Sequence, residues 1–275
     1  MCTIPLLRGV CRECYNSPEA VYGTLKRRGM DLVTVTDHDS IDAVEVLRHR
    51  PDFFLSEEVT CRTPAGTEFH MGVYGIEERD HVELQRRRDD LESLIAFLNQ
   101  RRLLFSLNHV FSSLTGSRAA ADFEAFERSF PALETANGQI LEAANRSAAA
   151  LASRWDKAHI GGSDAHTMAA LGRTYTEVTG ARTAQEFLAG IRARRSQAQG
   201  QSGDFFKLTF AVWAIGASMI GERPWTLLLS PLMAAAPLVT LGNFLREVSF
   251  ERKWSRALDL HTARPTLEPL SERAA

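Results

Sequence analysis

Five short stretches of the chain put histidines and carboxylates at the end of an apolar or β-branched run. They are Thr36-Asp37-His38-Asp39, Ser56-Glu57-Glu58-Val59-Thr60, Glu68-Phe69-His70-Met71-Gly72, Ser106-Leu107-Asn108-His109 and Gly161-Gly162-Ser163-Asp164-Ala165-His166. A neutral imidazole beside carboxylates is the donor set that a divalent cation takes. Ionisable residues at the C-terminal ends of parallel strands project into a shared site. Singly, the first and third have plain explanations. His38 fits a hydrated turn capping a helix from Ile41, with Asp39 or Ser40 as the cap, and His70 fits a solvated face shared with Glu68. Extended backbone sends one of Glu57 and Glu58 toward a site and the other away. The fifth stretch is the most specific, because its glycines allow close backbone approach and Asp-x-His sets two ligands on one loop. Packing alone does not place a ligand-type residue at five such positions. His49, His81, His159 and His261 lack this setting and read as surface or structural residues.

The elements that must position these groups alternate. A helix over 17–28 ends at Gly29, a C-cap residue, and the β-branched run 31–36 follows as a strand. Strands are expected at 53–60 and 67–75, separated by the turn Thr63-Pro64-Ala65-Gly66, and again at 103–107, 132–136, 159–162 and 175–178. Helices are expected at 80–101, 122–129, 140–155 and 183–195. This alternation predicts a mainly parallel α/β sheet or barrel. No internal repeat is visible.

Charged residues are 24% and hydrophobic ones 44% of the chain, which excludes a wholly disordered polymer. Lysine and arginine (32) nearly balance aspartate and glutamate (34), which excludes binding to bulk nucleic acid through a basic surface. Cys2, Cys11, Cys14 and Cys61 are too few and too clustered for a disulfide framework. They read as free thiols in a reducing compartment, and the opening residues lack a secretory signal pattern.

The composition shifts near residue 200. Residues 196–204 read as a polar linker between a domain at 1–195 and two apolar stretches, Phe205 to Gly221 and Trp225 to Leu245. Those stretches predict a helical hairpin over 205–250, followed by a polar tail, 251–275. Each run is close to the ~20 apolar residues that a bilayer-spanning helix needs, and each is apolar on all sides. Arg192, Arg194 and Arg195 precede them, and Arg246, Arg252, Lys253 and Arg256 follow, whereas the turn between holds only Arg223. By the positive-inside rule a membrane hairpin would leave both termini cytoplasmic, at the inner membrane. The other expectation is a hairpin packed on the domain or in a dimer interface.

Together Thr36-Asp37-His38, Ser56-Glu57-Glu58-Val59-Thr60, Glu68-Phe69-His70, Asn108-His109 and Gly162-Ser163-Asp164-Ala165-His166 resemble the motifs of the PHP family, named for its polymerase and histidinol-phosphatase members. The resemblance covers about residues 15–195. It implies a distorted (β/α)7 barrel with two or three divalent ions (Mn, Fe or Zn) that hydrolyses phosphoesters. By motif alignment it puts His38, Glu58, His70, His109, Asp164 and His166 at ligand positions. Glu58 is preferred to Glu57 because Ser56 stands where the family's Gly-x-Glu motif has its glycine. The substrates implied are nucleotides, short oligonucleotides or other phosphorylated small molecules. Asp164, His166 and His109 would form the catalytic side facing the leaving group, and Arg118 and Arg173 either meet phosphate oxygens or are plain surface residues. The family's opening His-x-His motif has no counterpart here, so the resemblance implies a barrel without its first strand. We expect the sequence to start downstream of that motif in the natural protein, rather than the protein to have lost it. A true loss would instead imply a non-catalytic, membrane-associated scaffold that binds metal or nucleotide.

Overall fold

The computed structural model describes residues 14–260. Helix α1 (Pro18–Arg27) starts where expected: Ser17 accepts from the Ala20 amide, Pro18 occupies the first turn, and Gly29 follows with φ of 83°. The next stretch, 31–38, is extended but is not a strand of a ladder. It touches its neighbour at two parallel bridges, Val33 with Phe53 and His38 with Glu58. Its other side faces a cavity rather than a second strand. A short helix α2 (Val44–Leu47) replaces the helix expected from Ile41; Asp39 is not its cap but accepts from the Thr60 amide.

Five strands form the main sheet in the order β1 (Ser56–Arg62), β2 (Glu68–Tyr74), β3 (Leu104–Leu107), β4 (Ala132–Asn137), β5 (Ala158–Gly162). The expected mainly parallel sheet is corrected to a mixed one: β1, β2 and β3 pair antiparallel, and β3, β4 and β5 pair parallel. The short turn at 63–66 permits only an antiparallel hairpin, whereas the later strands are joined by helices long enough for parallel crossovers. The helix expected over 80–101 is two helices, α3 (Glu78–Arg87) and α4 (Leu91–Arg101), because Asp90 turns extended and accepts from the Ser93 amide as a new N-cap. Helices α5 (Ala120–Ser129), α6 (Glu142–Arg154) and α7 (Ala184–Arg192) fill the remaining slots. The polar linker expected at 196–204 is corrected as well. Ser196–Gly200 is strand β7, paired antiparallel with β6 (Thr174–Val178), and the pair packs on β5.

Period-two alternation sorts the sheet into two faces. Val59, Cys61, Phe69, Met71, Val73 and Phe105 point into a core closed by Leu84, Leu94, Leu98 and the fully buried Phe126 and Phe130. Phe69, Phe126 and Phe130 meet edge to face at centroid distances of 5.1 to 5.8 Å. Glu58, Thr60, His70, Gly72 and Ser106 lie on the opposite face, as the register Glu58–Gly72, Thr60–His70 and Gly72–Ser106 requires.

Helix α8 (Phe205–Glu222) and helix α9 (Ala236–Ala257), joined through a 3-10 stretch at Pro224–Ala235, run antiparallel. Phe205 meets Phe244, and Trp213 Nε1 donates to Met233 O at 3.0 Å. The boundary of a polar tail at 251 is corrected: Glu251, Trp254 and Ser255 are buried parts of α9.

Candidate metal centre

Four segments converge on one point. His38 ends the extended stretch 31–38, Glu58 sits in β1, His70 in β2, and His109 just beyond β3. His38 Nε2 lies 3.3 Å from Glu58 Oε2, His109 Nε2 3.3 Å from Glu58 Oε1, and His70 Nδ1 3.6 Å from Glu58 Oε1. His70 Nδ1 and His109 Nε2 are 3.2 Å apart. Gly72 keeps this face open, since a Cβ there would stand 2.9 Å from Ser106 Oγ and closer still to the Tyr74 ring. Asn108 fixes the glutamate from a further side, donating to Glu58 Oε1 at 2.8 Å. Glu57 points to the other face, where it pairs with His81 of α3 and Gln85 reaches it. Period two thus divides the adjacent glutamates as expected.

Electrostatics follow from burying one carboxylate among three imidazoles. Burial alone would raise Glu58, but the hydrogen bond and charge of His109, with His38 and His70 behind it, hold it well below the ordinary carboxylate range. Burial opposes charge on His109 too, yet Glu58 outweighs it and raises the imidazole to about 9. His70 loses on both counts: burial and the neighbouring His109 drive it down to about 3. The cluster holds one carboxylate and one imidazolium, with the His70 ring driven toward neutrality, which is the ligand form.

Asp164 and His166 occupy the loop after β5. His166 Nδ1 lies 3.0 Å from Asp164 O and 3.8 Å from Asp164 Oδ1. The loop is fitted by glycine, because a Cβ on Gly161 would stand 2.5 Å from Tyr175 O. Asp164 is linked to the cluster through two residues that the motifs did not reveal. Asn137 Nδ2 donates to Asp164 Oδ2 at 3.2 Å and to Glu134 Oε2 at 3.0 Å, and Glu134 Oε2 also accepts from the His109 amide at 3.0 Å. Burial raises the Glu134 carboxyl to about 8; His109 pulls it down and Asp164 pushes it up. The signal available in sequence was Glu134-Thr135-Ala136-Asn137, a carboxylate and an amide at the end of the Ala132 strand without a histidine. His109 and Asp164 both hold left-handed backbone, with φ of 29° and 46°, a conformation that costs free energy and gathers at functional sites.

A cavity of about 920 Å³ opens onto this face, lined by His38, Glu58, Asn108, Glu134, Asp164 and His166 among others. Its far walls are the extended stretch 31–38 and strands β5 and β6. Neither arginine joins the lining. Arg118 is buried and donates to Glu68 O at 2.8 Å and Thr115 Oγ1 at 2.6 Å. Arg173 is exposed and donates to Ala169 O. Of the cysteines, Cys14 and Cys61 are free thiols, while Cys2, Cys11 and His261 lie outside the described residues.

The donor set fits a divalent cation. One ligand atom each from His38, Glu58 and His70 lies within 4.8 Å of the others. His38 Nδ1, His70 Nε2 and His109 Nδ1 are buried without a hydrogen-bond partner, which a protein interior seldom tolerates.

Comparisons with known proteins bear on the fold. A family model described as PHP-associated matches residues 142–196. No curated protein sequence matches the chain. Among solved structures, PsfC from Pseudomonas syringae PB-5123 superposes with a TM-score of 0.58 at 19% identity, over 75% of this chain and 93% of that one. A protein described as a metal-dependent phosphoesterase, from Bifidobacterium adolescentis ATCC 15703, reaches 0.46 at 13% identity, over 66% and 92%. The lesion-specific endonuclease PfuEndoQ from Pyrococcus furiosus reaches 0.45 at 15%, over 65% and 52%. At these identities the likeness is one of fold.

Proposed function

We propose that the chain is a PHP-family member and a metal-dependent phosphoesterase whose substrate is a nucleotide, a short oligonucleotide or another small phosphate ester, a reading supported by the PHP-associated match at residues 142–196. The observation that carries the reading is the convergence of His38, His70 and His109 on the Glu58 carboxylate, with ring nitrogens 3.3 to 3.6 Å from its oxygens. His38, Glu58 and His70 would hold one ion, and His109, Asp164 and His166 would complete a site for a second. Bound divalent ions supply Lewis acidity toward a phosphoryl oxygen and a source of hydroxide near neutral pH.

The remaining work falls to the chain's own residues. Asn108 holds Glu58 in place through its amide. Glu134 and Asn137 fix the His109 backbone and Asp164 relative to each other. Asp164 has two oxygens to share, and His166 stands beside it on the same loop. Val33, Val35 and Ile160 give the cavity apolar wall.

We also read α8 and α9 as a membrane hairpin that keeps the domain at the cytoplasmic face. The 18 residues of α8 rise about 27 Å, against a hydrocarbon core of about 30 Å. Phe206, Trp225, Leu228 and Leu238 are more than half exposed.

The test of the enzyme reading is hydrolysis of an aryl phosphate and a nucleotide panel with Mn2+ added. Turnover well above that of an Asp164→Ala, His166→Ala double variant is expected, and equal rates would sink the proposal. The anchor is tested by fractionating cells and washing membranes with salt and carbonate. Retention in the pellet is expected, whereas full recovery as a monodisperse soluble protein would rule it out.

A further inference from the structure

Beneath its apolar half, α9 presents a second kind of surface. Leu245, Val248, Ser249, Arg252, Lys253 and Arg256 recur at three- and four-residue spacing, so they share one side of the helix. They line a groove of about 410 Å³. Its upper end, toward the hairpin, is apolar. Its lower end carries three exposed cations. The opposite side of α9 is fastened into the domain. Glu247 Oε1 accepts from the Ser113 amide at 2.8 Å and from the Ser113 hydroxyl. Glu251 Oε1 accepts from Ser147 Oγ at 2.6 Å, and the Trp254 ring packs 5.0 Å from Phe123. These buried contacts fix the rotation of α9, so the cationic side must face outward.

We propose that this groove binds the phosphate headgroup of an anionic lipid, with an acyl chain running upward past Val248 and Leu245. The inference rests on the reading of α8 and α9 as a membrane hairpin. Position and charge both argue for it. The Phe205–Phe244 contact sets the base of the hairpin one residue above Leu245. From Leu245 to Arg252 the helix descends about 10 Å, and long basic side chains can reach back up from there to the headgroup layer. Arginine meets phosphate through a bidentate fork, and juxtamembrane basic residues are drawn to anionic leaflets. An acidic protein partner would satisfy the cations equally. It would have no use for the apolar upper end, which continues without a break into the exposed hairpin.

Native mass spectrometry of the full chain, purified in detergent and titrated with phosphatidylglycerol or phosphatidylcholine, tests the site. Wild type is expected to retain phosphatidylglycerol at least tenfold more strongly than phosphatidylcholine. An Arg252→Gln, Lys253→Gln, Arg256→Gln variant should lose most of that preference, at about fivefold per cation, while its Mn2+ binding and melting temperature stay at wild-type values. Soluble glycerol phosphate should not displace the lipid. Equal retention of both lipids, an unchanged variant, or displacement by glycerol phosphate overturns the lipid site. If the triple substitution instead abolishes self-association or capture of an acidic protein, the face is a protein interface and the proposal falls. Carbonate extraction of the same wild-type protein reports separately on the anchor: a pellet-retained protein without lipid preference leaves the hairpin reading standing, and a soluble one removes both.

Discussion

The sheet and the hairpin are built on opposite terms. Around the sheet, Phe126 and Phe130 are fully buried, and charged groups are buried too: Glu58 is 7% and His109 8% exposed, each paired with the other. In the hairpin, Leu228 is 83% and Phe206 71% exposed. A soluble domain can carry buried charge only where partners or metals compensate it, and it seldom shows so large a contiguous apolar surface to water. The contrast teaches that burial has meaning only relative to a solvent. On the function proposed above, the sheet's unusual groups would bind something small from inside, and the hairpin's would meet something large from outside.

The sharpest way to break this contrast is to remove bulk from each side. Phe126→Ala should cost about 3–5 kcal/mol in urea unfolding, because a packed aromatic core cannot collapse around the void. Next comes the metal centre. Glu58→Ala should weaken Mn2+ binding by more than about 100-fold in a calorimetric titration, since even residues behind the ligands are worth 10- to 100-fold. The seam between the regions is intermediate. Glu247→Ala leaves the buried Ser113 amide without its acceptor and should cost about 1–3 kcal/mol in the same unfolding assay.

The pH dependence of the metal-free protein sharpens the picture further. His109 stands at about 9 in the folded chain against an ordinary 6.5, and Glu134 at about 8 against 4.5. Between pH 6.5 and 9 the folded state therefore holds more protons than the unfolded one, so stability falls as pH rises through that window. The lowered His70 acts in the opposite direction, but only below pH 6.5. Melting curves in chelator should drop by a few degrees from pH 6.5 to 9, and a flat profile would contradict the assigned protonation of the cluster. Smallest of all, Leu228→Ala in the hairpin should shift detergent-solubilised stability by less than about 0.5 kcal/mol.

Much of the cluster was legible in sequence because its logic is local. His70 shares a face with Glu68 by period two, and Glu58 turns away from Glu57 by the same rule. What escaped was non-local. Glu134 and Asn137 matter because β4 lies between β3 and β5, a strand order that no local pattern states. The same holds for β7: Ser196-Gln197-Ala198-Gln199-Gly200 has the composition of a linker, and only its pairing with β6 makes it a strand. Arg118 reads in sequence as a free phosphate ligand, yet its guanidinium is committed to Glu68 and Thr115. The break between α3 and α4 turns on Asp90 acting as an N-cap inside an otherwise continuous charged run.

The two serine–glutamate contacts of α9 set the size of the unit that opens as one. Ser113 lies four residues beyond His109, and Ser147 lies in α6 behind the sheet. Residues 247–257 therefore belong energetically with a loop and a helix of the domain more than a hundred positions earlier, and not with the apolar turns that directly precede them. Amide hydrogens of that stretch should exchange with deuterium only when the sheet itself opens, while those around Arg223 exchange through local openings. A protease nick near the tip would leave two fragments still held together, and one beyond Glu247 would pull a buried carboxylate out from beneath the His109 loop.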